Sequence, residues 1–332
     1  MGAIDSRYKI LSLCGGGYLG LYAAKVLAFL EDGPSEAGLP RRPLSKAFSL
    51  ICGTSVGGLL ALGLAYGVPA SHLLDVFERR GKEVFGGEHQ SRLQRYGRVL
   101  RSAYRPKYDA RALRDVIGEM LPEDAVLSGV KQRVLVPAVN LATGGPAIFY
   151  GEPGGALHLD GTGQEVRAQD VALATAAAPY YFPPASVGGV PHADGGLVAN
   201  APDLIGIARA VELSYPLSDV QVLSVGTTTE PFSLSAREAR GLGLHGWLTK
   251  LRLLKVAMGG QMGLSRELAR MLLLDQGVGR RHVVIDAEVE PRVASIIGLD
   301  RATAAADREL ERLFRKTVED VDLATLRRDW IA

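Results

Sequence analysis

The sequence has few cysteines, few aromatic residues and no long hydrophobic run, and each shortage excludes a class of protein. Its two cysteines, Cys14 and Cys52, are too few for a disulfide framework or a cysteine-rich zinc site, which favours a reducing compartment. No apolar stretch reaches the roughly 20 residues that span a bilayer. The first residues also lack the layout of a signal peptide. We therefore expect a cytoplasmic protein whose contact with membranes is peripheral.

The chain also lacks a large excess of charge of either sign, because its 38 basic residues nearly balance its 36 acidic ones and the formal net charge is +2. This balance does not indicate binding to a nucleic-acid polymer. Basic residues are nevertheless concentrated in residues 79–114, where eleven arginines and lysines face three acids and the local charge is +8. Such a segment is either a solvated face or a surface for anionic lipid head groups or a phosphate-bearing ligand. The candidates for the second role are Arg92, Arg95, Arg98 and Arg101.

Apolar residues make up 47% of the chain, and glycine is abundant at 40 residues. Short apolar runs, which predict buried strands, alternate with segments of helical periodicity. Strands are predicted at 8–14, 47–52, 133–139, 220–225 and, with a weaker pattern, 282–285. Helices are predicted at 21–31, 56–66, 71–80, 110–120, 199–213 and 303–321. This alternation predicts an α/β fold with a mostly parallel sheet in a single domain over residues 1–332.

Two segments are predicted to be additions to the sheet of that domain. The basic segment is expected to be an insertion at about 79–114, and a helical C-terminal part is expected at about 231–332. Within that part, residues 241–274 mix leucine and methionine with tryptophan and basic residues. This stretch is either an amphipathic lid or a helix of the core.

A Gly-x-Ser-x-Gly pattern, formed by Gly53, Ser55 and Gly57, lies between a predicted strand and a predicted helix. In that context the serine sits on a sharp turn, where its hydroxyl projects outward as a nucleophile. The free N–H groups at the start of the helix favour developing negative charge. The alternative is a serine that caps an ordinary helix.

A serine nucleophile needs a base, and none of the six histidines lies in an obvious position for that role. A stronger candidate is Asp194, which precedes Gly195 and Gly196 in a second sharp loop that leads into a helix. An aspartate can deprotonate serine directly if it is close and partly desolvated. Two alternatives stay open: Asp194 is a turn residue, or His192 in the same loop is the base.

A third glycine-rich loop contains Gly15, Gly16, Gly17 and Gly20, between the first predicted strand and helix. Consecutive glycines present bare N–H groups that can hold an anion. A nucleotide phosphate loop is the rival interpretation, but the Lys-Ser/Thr of a P-loop and the acidic ribose partner of a dinucleotide site are missing. The pattern favours an oxyanion hole formed by the N–H groups of Gly15, Gly16 and Gly17.

These three motifs, in this order, resemble those of the patatin-like phospholipases. The resemblance covers roughly residues 8–230. It implies a three-layer α/β/α sandwich and a Ser–Asp dyad without histidine, with Ser55 as the nucleophile and Asp194 as its base. It further implies that the motif glycines shape these loops and that catalysis uses no metal or other cofactor. Those glycines are Gly20, Gly53, Gly57, Gly195 and Gly196.

The amino-acid sequence around the motifs is most similar to that of the bacterial patatin-like effectors of anti-phage defence. That resemblance implies a phospholipase that is activated by a cyclic dinucleotide, such as cyclic GMP-AMP, from a partner cyclase. It would then degrade membrane phospholipids at the inner face of the cell membrane, with a homo-oligomer or filament formed on activation. Two alternatives remain: an esterase or lipid acyl hydrolase without nucleotide control, and a non-catalytic lipid- or nucleotide-binding module.

Two positions depart from the patatin-like pattern. Cys14 stands where the family loop often has aspartate, and Leu19 stands where it usually has arginine or lysine. Either the backbone N–H groups suffice for the oxyanion, or another basic residue takes the place of the missing cation. Arg41 and Arg42 are the candidates for that replacement.

Overall fold

The computed structural model describes residues 7–33, 41–85, 105–158, 165–228, 234, 240–243, 246–247, 252–274, 281–294 and 296–331. A nine-stranded sheet lies at the centre of this part of the chain. Its strands are β1 Tyr8–Leu13, β2 Leu50–Gly53, β3 Val134–Asn140, β4 Gly145–Glu152, β5 Gly155–His158, β6 Ala185–Val187, β7 Val190–Asp194, β8 Val220–Val225 and β9 His282–Ile285. The five predicted strands correspond to β1, β2, β3, β8 and β9.

The sheet has the strand order β5-β4-β3-β2-β1-β8-β9, and β6 and β7 join it through a pairing of β7 with β3. The five neighbours from β3 to β9 are parallel, which confirms the predicted α/β class. Strands β4 to β7 add antiparallel pairs at one side of the sheet. These four strands are not predicted from the sequence, because they are short or carry no continuous apolar run.

Helices cover both faces of the sheet. Residues Leu11 and Leu13 of β1 belong to one hydrophobic core, and Tyr8 and Ile10 belong to another on the opposite face. This alternation gives the three layers of an α/β/α sandwich. The helices are α1 Gly20–Asp32, α2 Leu44–Ala47, α3 Val56–Ala65, α4 Ala70–Phe85, α5 Ala110–Met120, α6 Ala168–Thr175, α7 Gly196–Ala199, α8 Asp203–Glu212, α9 Arg252–Leu272, α10 Pro291–Ala294, α11 Ala304–Asp320 and α12 Leu323–Trp330.

The core on the first face receives side chains from α1, α3 and α11, whereas that on the second receives side chains from α8 and α9. The helix predicted at 199–213 corresponds to α8, which begins later, at Asp203, because Pro202 separates it from the short α7. Proline has no N–H group to continue a helix, so it stands at the start of the second one. Strand β2 begins later than predicted because Leu44–Ala47 forms a helical turn.

The two predicted additions have the following positions. Residues 79–85 of the basic segment lie in α4, whereas Arg92, Arg95, Arg98 and Arg101 lie outside the described residues. Most of the 241–274 stretch forms α9, which packs against α7 and α8 and buries Ser265 and Ala269. Among the described residues, no helix is both long enough and apolar enough to cross a membrane.

The order of the strands creates a switch point beside β1. The chain runs from β1 to β2 on one side, and β8 later pairs with β1 on the other side. In open α/β sheets, ligands bind in the crevice outside the carboxyl ends of the strands at such a point. The loops that follow β1, β2 and β8 are therefore the expected location of a functional site.

Candidate active site

Ser55 occupies a strained turn between β2 and α3. Its backbone has φ 54° and ψ −126°, which is an uncommon region for any residue with a side chain. The neighbouring glycines allow close backbone approach. A Cβ atom at Gly53 would lie 2.1 Å from the carbonyl oxygen of Gly57, and one at Gly57 would lie 2.4 Å from that of Leu13. The Ser55 side chain makes no capping hydrogen bond to α3, so the helix-cap interpretation is wrong.

The Ser55 hydroxyl is hydrogen-bonded to the carboxylate of Asp194. Ser55 Oγ donates to Asp194 Oδ2 at 2.7 Å. The other carboxylate oxygen, Oδ1, accepts from the N–H of Gly196 at 2.6 Å. These two bonds hold the carboxylate plane in one orientation, with one oxygen directed at the serine.

The sheet brings the two side chains together through β3. Strand β2 is parallel to β3 and ends beside it, where Cys52 pairs with Leu135. Strand β7 is antiparallel to β3 and pairs Asp194 with Ala138. Both strands pair with the same edge of β3 and run toward each other, so their carboxyl ends meet there. The turn after β2 therefore faces the end of β7. The arrangement places Ser55 and Asp194 in contact although they are 139 residues apart.

The environment of Asp194 favours a role as a base. The residue is 4% exposed, and burial raises the pKa of its carboxyl to about 6, against the lowering effect of the hydrogen bonds from Gly196 and Ser55. A base works best when its pKa lies near the operating pH. Asp194 is therefore ionised at neutral pH and basic enough to accept the proton of a serine hydroxyl.

The histidines with described side chains are bonded elsewhere. His192 is 2% exposed, and its Nδ1 lies 2.9 Å from the carbonyl oxygen of Val190. The Nε2 atom of His72 contacts the carbonyl of Glu119, and that of His282 contacts Asp203. The geometry at Ser55 thus favours Asp194 over His192 as the base. The predicted turn-residue role of Asp194 does not account for its bond to the serine.

The glycine loop after β1 lies beside Ser55. Gly16, Gly17 and Ser55 line the same pocket. Gly17 has φ 55°, a conformation that glycine adopts without strain. A Cβ atom at Gly16 would lie 2.0 Å from Thr227 Oγ1. The N–H groups of Gly16 and Gly17 have no backbone acceptor among the described residues, so both can donate to an oxyanion.

Gly15 differs from the prediction. Its N–H donates to the carbonyl oxygen of Asn200 at 3.0 Å, so it cannot donate to an oxyanion at the same time. Asn200 follows α7, and no local pattern in the sequence indicates that its carbonyl would reach the loop. The candidate oxyanion donors are thereby reduced to Gly16 and Gly17.

The candidates for the missing cation are also corrected. Arg41 pairs with Glu31 and Asp32 at the end of α1, roughly 19 Å of helix away from the glycine loop. The backbone N–H of Arg42 bonds to the carbonyl of Glu31 in the same place. Neither residue replaces a cation at Leu19.

Arg266 is a basic residue beside the loop that the sequence analysis missed. Its Nη2 lies 3.4 Å from Cys14 Sγ, and its Nη1 lies 2.9 Å from Asp286 Oδ2. Burial raises the pKa of the Cys14 thiol to about 12 although Arg266 acts to lower it, so the thiol is neutral. Arg266 lies on α9, far from every motif in the sequence, and no local pattern marks it. It lies beside Cys14, the residue that starts the glycine loop, as the basic member of an ion pair with Asp286.

An apolar pocket of about 80 Å³ opens at Ser55 and Asp194. Its walls come from several helices and from the loop after α6. The apolar lining side chains include Val56, Leu59, Phe77, Val84, Phe85, Leu113, Val116, Tyr181, Phe182, Leu254 and Met258. Such a lining favours an acyl chain, because a hydrocarbon tail gains free energy by leaving water.

Comparisons with known proteins agree with this geometry. Residues 11–205 match the family model described as patatin-like phospholipase. The chain is 37% identical to a protein of Vibrio cholerae serotype O1 named cGAMP-activated phospholipase, with 91% of this chain and 88% of the relative covered. Proteins of the same name from Pseudomonas aeruginosa and Escherichia coli are 36% and 34% identical. Their alignments cover 92% and 91% of this chain and 86% of each relative.

The family match spans the glycine loop, the strained serine and the buried aspartate. The relatives extend the similarity over about nine-tenths of the chain. On these grounds the chain belongs to the patatin-like phospholipase family.

Proposed function

We propose that this protein hydrolyses fatty-acyl esters of membrane phospholipids with a Ser55–Asp194 dyad and that a cyclic dinucleotide activates it in bacterial anti-phage defence. The observation that carries the hydrolytic part is the 2.7 Å hydrogen bond from Ser55 Oγ to the buried carboxylate of Asp194. This pair lies at an apolar pocket that suits an acyl chain.

The first half of the proposed reaction forms an acyl-enzyme. Asp194 accepts the hydroxyl proton while Ser55 Oγ bonds to the ester carbonyl carbon. The carbonyl oxygen becomes negative, and the N–H groups of Gly16 and Gly17 stabilise it. The carbon–oxygen bond of the ester then breaks, and the alcohol leaves with the proton that Asp194 held.

The second half releases the fatty acid. Asp194 takes a proton from a water molecule, whose oxygen bonds to the acyl carbon. The bond to Ser55 Oγ breaks, and the serine recovers its proton from Asp194. The proposed reaction uses no metal or organic cofactor, because the aspartate and the backbone donors supply each proton transfer and the charge stabilisation.

Nucleotide activation is supported by the names of the three relatives, each called a cGAMP-activated phospholipase. A partner cyclase would supply the messenger, and assembly into a homo-oligomer or filament would follow activation. The basic insertion at about 79–114 stays a proposed contact for phosphates, since Arg92, Arg95, Arg98 and Arg101 lie outside the described residues.

Peripheral contact with the inner face of the membrane is supported by α9. Its inner side lines the Ser55 pocket through Leu254 and Met258. Its outer side exposes large apolar residues, including Leu264 at 61% and Leu253 at 55%. Exposed apolar side chains of this kind insert into lipid surfaces.

This membrane contact can be tested with one substitution. Leu264→Asp should weaken binding to phospholipid vesicles about tenfold or more, because a leucine in lipid contributes about 1.5–3 kcal/mol. The matched control is Val211→Asp, which changes an exposed residue of α8 that is 49% accessible. Equal weakening by both substitutions in a vesicle-sedimentation assay would rule out a specific role of α9.

The hydrolytic proposal is tested by fatty-acid release from phospholipid vesicles, with and without cyclic GMP-AMP. We expect Ser55→Ala to lose release while its thermal unfolding stays close to that of the unchanged protein. A fluorophosphonate probe should label the unchanged protein and not the variant. Undiminished release by Ser55→Ala would refute the proposal, and full release without nucleotide would identify an unregulated acyl hydrolase instead.

A further inference from the structure

A second and larger cavity lies across the glycine loop from the apolar pocket. Its volume is about 910 Å³, within the range of pockets that hold small-molecule ligands. Five residues line both this cavity and the apolar pocket, so the two spaces meet beside Ser55: Gly16, Tyr181, Asn200, Met258 and Leu299. Its polar and charged lining residues include Thr227, Thr228, Lys255, Asp286, Asp300 and Arg301.

The position of this cavity is that of a ligand site. It lies outside the carboxyl ends of β1 and β8, where Gly15 and Thr227 follow the strands. This is the switch point of the sheet, at which α/β proteins bind ligands.

Two buried residues of the cavity wall have oxygen atoms without a hydrogen-bond partner. Thr228 is 4% exposed and Asn200 is 7% exposed, and within the described part of the chain neither Thr228 Oγ1 nor Asn200 Oδ1 has a partner. Thr228 is also strained, with φ 70°. Its N–H donates to Asp286 Oδ1 at 3.0 Å, which holds it in that conformation. Buried unpaired oxygens and positive φ at a non-glycine residue cost free energy and concentrate at functional sites.

The charges in the cavity favour an anion. Asp286 is paired with Arg266 at 2.9 Å, and Asp300 is paired with Lys107. Both carboxylates are thus neutralised by cations. The guanidinium of Arg301 has no carboxylate within ion-pair distance among the described residues. Because guanidinium groups bind phosphate oxygens with two parallel hydrogen bonds, Arg301 is suited to a phosphate.

We propose that this cavity binds a phosphodiester and that the Arg301 guanidinium recognises its phosphate oxygens. The inference rests on the proposed function, which places the ester carbonyl at Ser55 and the acyl chain in the apolar pocket. The remainder of a phospholipid, with its phosphodiester, must then lie on the other side of Gly16. A cyclic dinucleotide carries the same chemical group. When bound in this cavity, it would act on Ser55 through the residues that line both spaces.

The first experiment compares Arg301→Gln with Arg315→Gln, a control on α11 whose side chain is 74% exposed. Phosphatidylglycerol and diacylglycerol are presented separately in vesicles of a diether lipid that has no cleavable acyl ester. With saturating cyclic GMP-AMP, Arg301→Gln should lower kcat/KM for phosphatidylglycerol about ten- to hundredfold more than for diacylglycerol. Arg315→Gln should leave the ratio of the two substrates unchanged.

The second arm distinguishes the two sources of phosphodiester. If the cavity holds the dinucleotide, Arg301→Gln should raise the concentration of cyclic GMP-AMP for half-maximal activity about ten- to hundredfold, with the substrate ratio unchanged. Either selective effect supports the site. Equal losses on both substrates together with an unchanged half-maximal concentration would overturn it.

A second variant fills the cavity without removing a charge. Gly259 lines the cavity on α9, and a Cβ atom there would meet no atom within 4 Å. Gly259→Leu should therefore fold and produce the same selective effect as Arg301→Gln. Gly263→Leu is its control, since Gly263 is equally open but does not line the cavity. If both leucine variants fold and behave alike, the site is refuted, whereas retained release by Ser55→Ala would refute the proposed function itself.

Discussion

Asp194 and Asp203 are both buried aspartates near the carboxyl edge of the sheet, yet their pKa values are shifted in opposite directions. Burial raises the pKa of Asp194 to about 6, because one N–H group and one hydroxyl are too few to offset the loss of water. Burial acts in the same direction on Asp203, but hydrogen bonds from His282 and Ser12 outweigh it and hold the pKa below its usual range.

The difference lies in the number and charge of the partners. The carboxylate of Asp203 accepts from Ser12, Ser224 and His282, and it lies close enough to Arg266 for that guanidinium to lower its pKa as well. A carboxylate so well solvated by the protein is stable as an anion and a poor base. The under-solvated Asp194 is a better base, so the structure separates a supporting carboxylate from a reactive one.

The largest expected effect is on the activity of Asp194→Asn. Removal of a general base typically costs about 10²–10⁴ in rate. Asparagine keeps the shape of the side chain and can still accept from Gly196, so the variant should fold. Because the substitution also removes a poorly solvated charge, the free energy of unfolding at pH 8 should rise by about 1–3 kcal/mol. Vesicle hydrolysis and urea unfolding of the same preparation measure both effects, and a variant that is inactive because it is unfolded would contradict this account.

Asp203→Asn should have the opposite effect on the free energy of unfolding. Removal of the anion leaves the groups around His282 and Arg266 without their shared partner, and the expected loss of stability is about 3–5 kcal/mol. Asp124→Asn, at an exposed position, is the control and should change stability by less than about 0.5 kcal/mol. Urea unfolding measures both values. If Asp203→Asn is as stable as its control, the hydrogen-bond network does not support the fold.

The pH dependence should separate the two carboxyls by sign. The folded state binds the Asp194 proton more tightly than the unfolded state does, so this group lowers the free energy of unfolding as pH rises from about 4 to about 6. Asp203 has a lowered pKa, so its contribution is present above the unfolded pKa and is lost as pH falls through the folded one. Over the same range, kcat/KM should rise with pH as Asp194 ionises. The free energy of unfolding of Asp194→Asn should therefore exceed that of wild type by a margin that grows as pH rises from about 4 to about 6. A margin that does not change over this range would contradict the assigned pKa.

The sequence predicted the parts of the site that depend on local pattern. The turn at Ser55, the loop before Gly195 and the glycine loop after β1 each follow a strand directly. All three lie at one edge of the sheet. The sequence did not predict the bond between Gly15 and Asn200 or the position of Arg266, since both arise from contacts between distant segments. Arg41 was a wrong candidate for a related reason, because nearness in sequence placed it at the other end of α1.

The central claim is that Ser55 and Asp194 act as one unit, and a double-mutant comparison tests it most directly. Fatty-acid release from phospholipid vesicles is measured at pH 8 for Ser55→Ala, Asp194→Asn and the double variant. Residues that act as a unit have strongly non-additive effects on rate. The account predicts that the double variant is no slower than Ser55→Ala alone. Wild-type release by Asp194→Asn, or losses that multiply in the double variant, would contradict it.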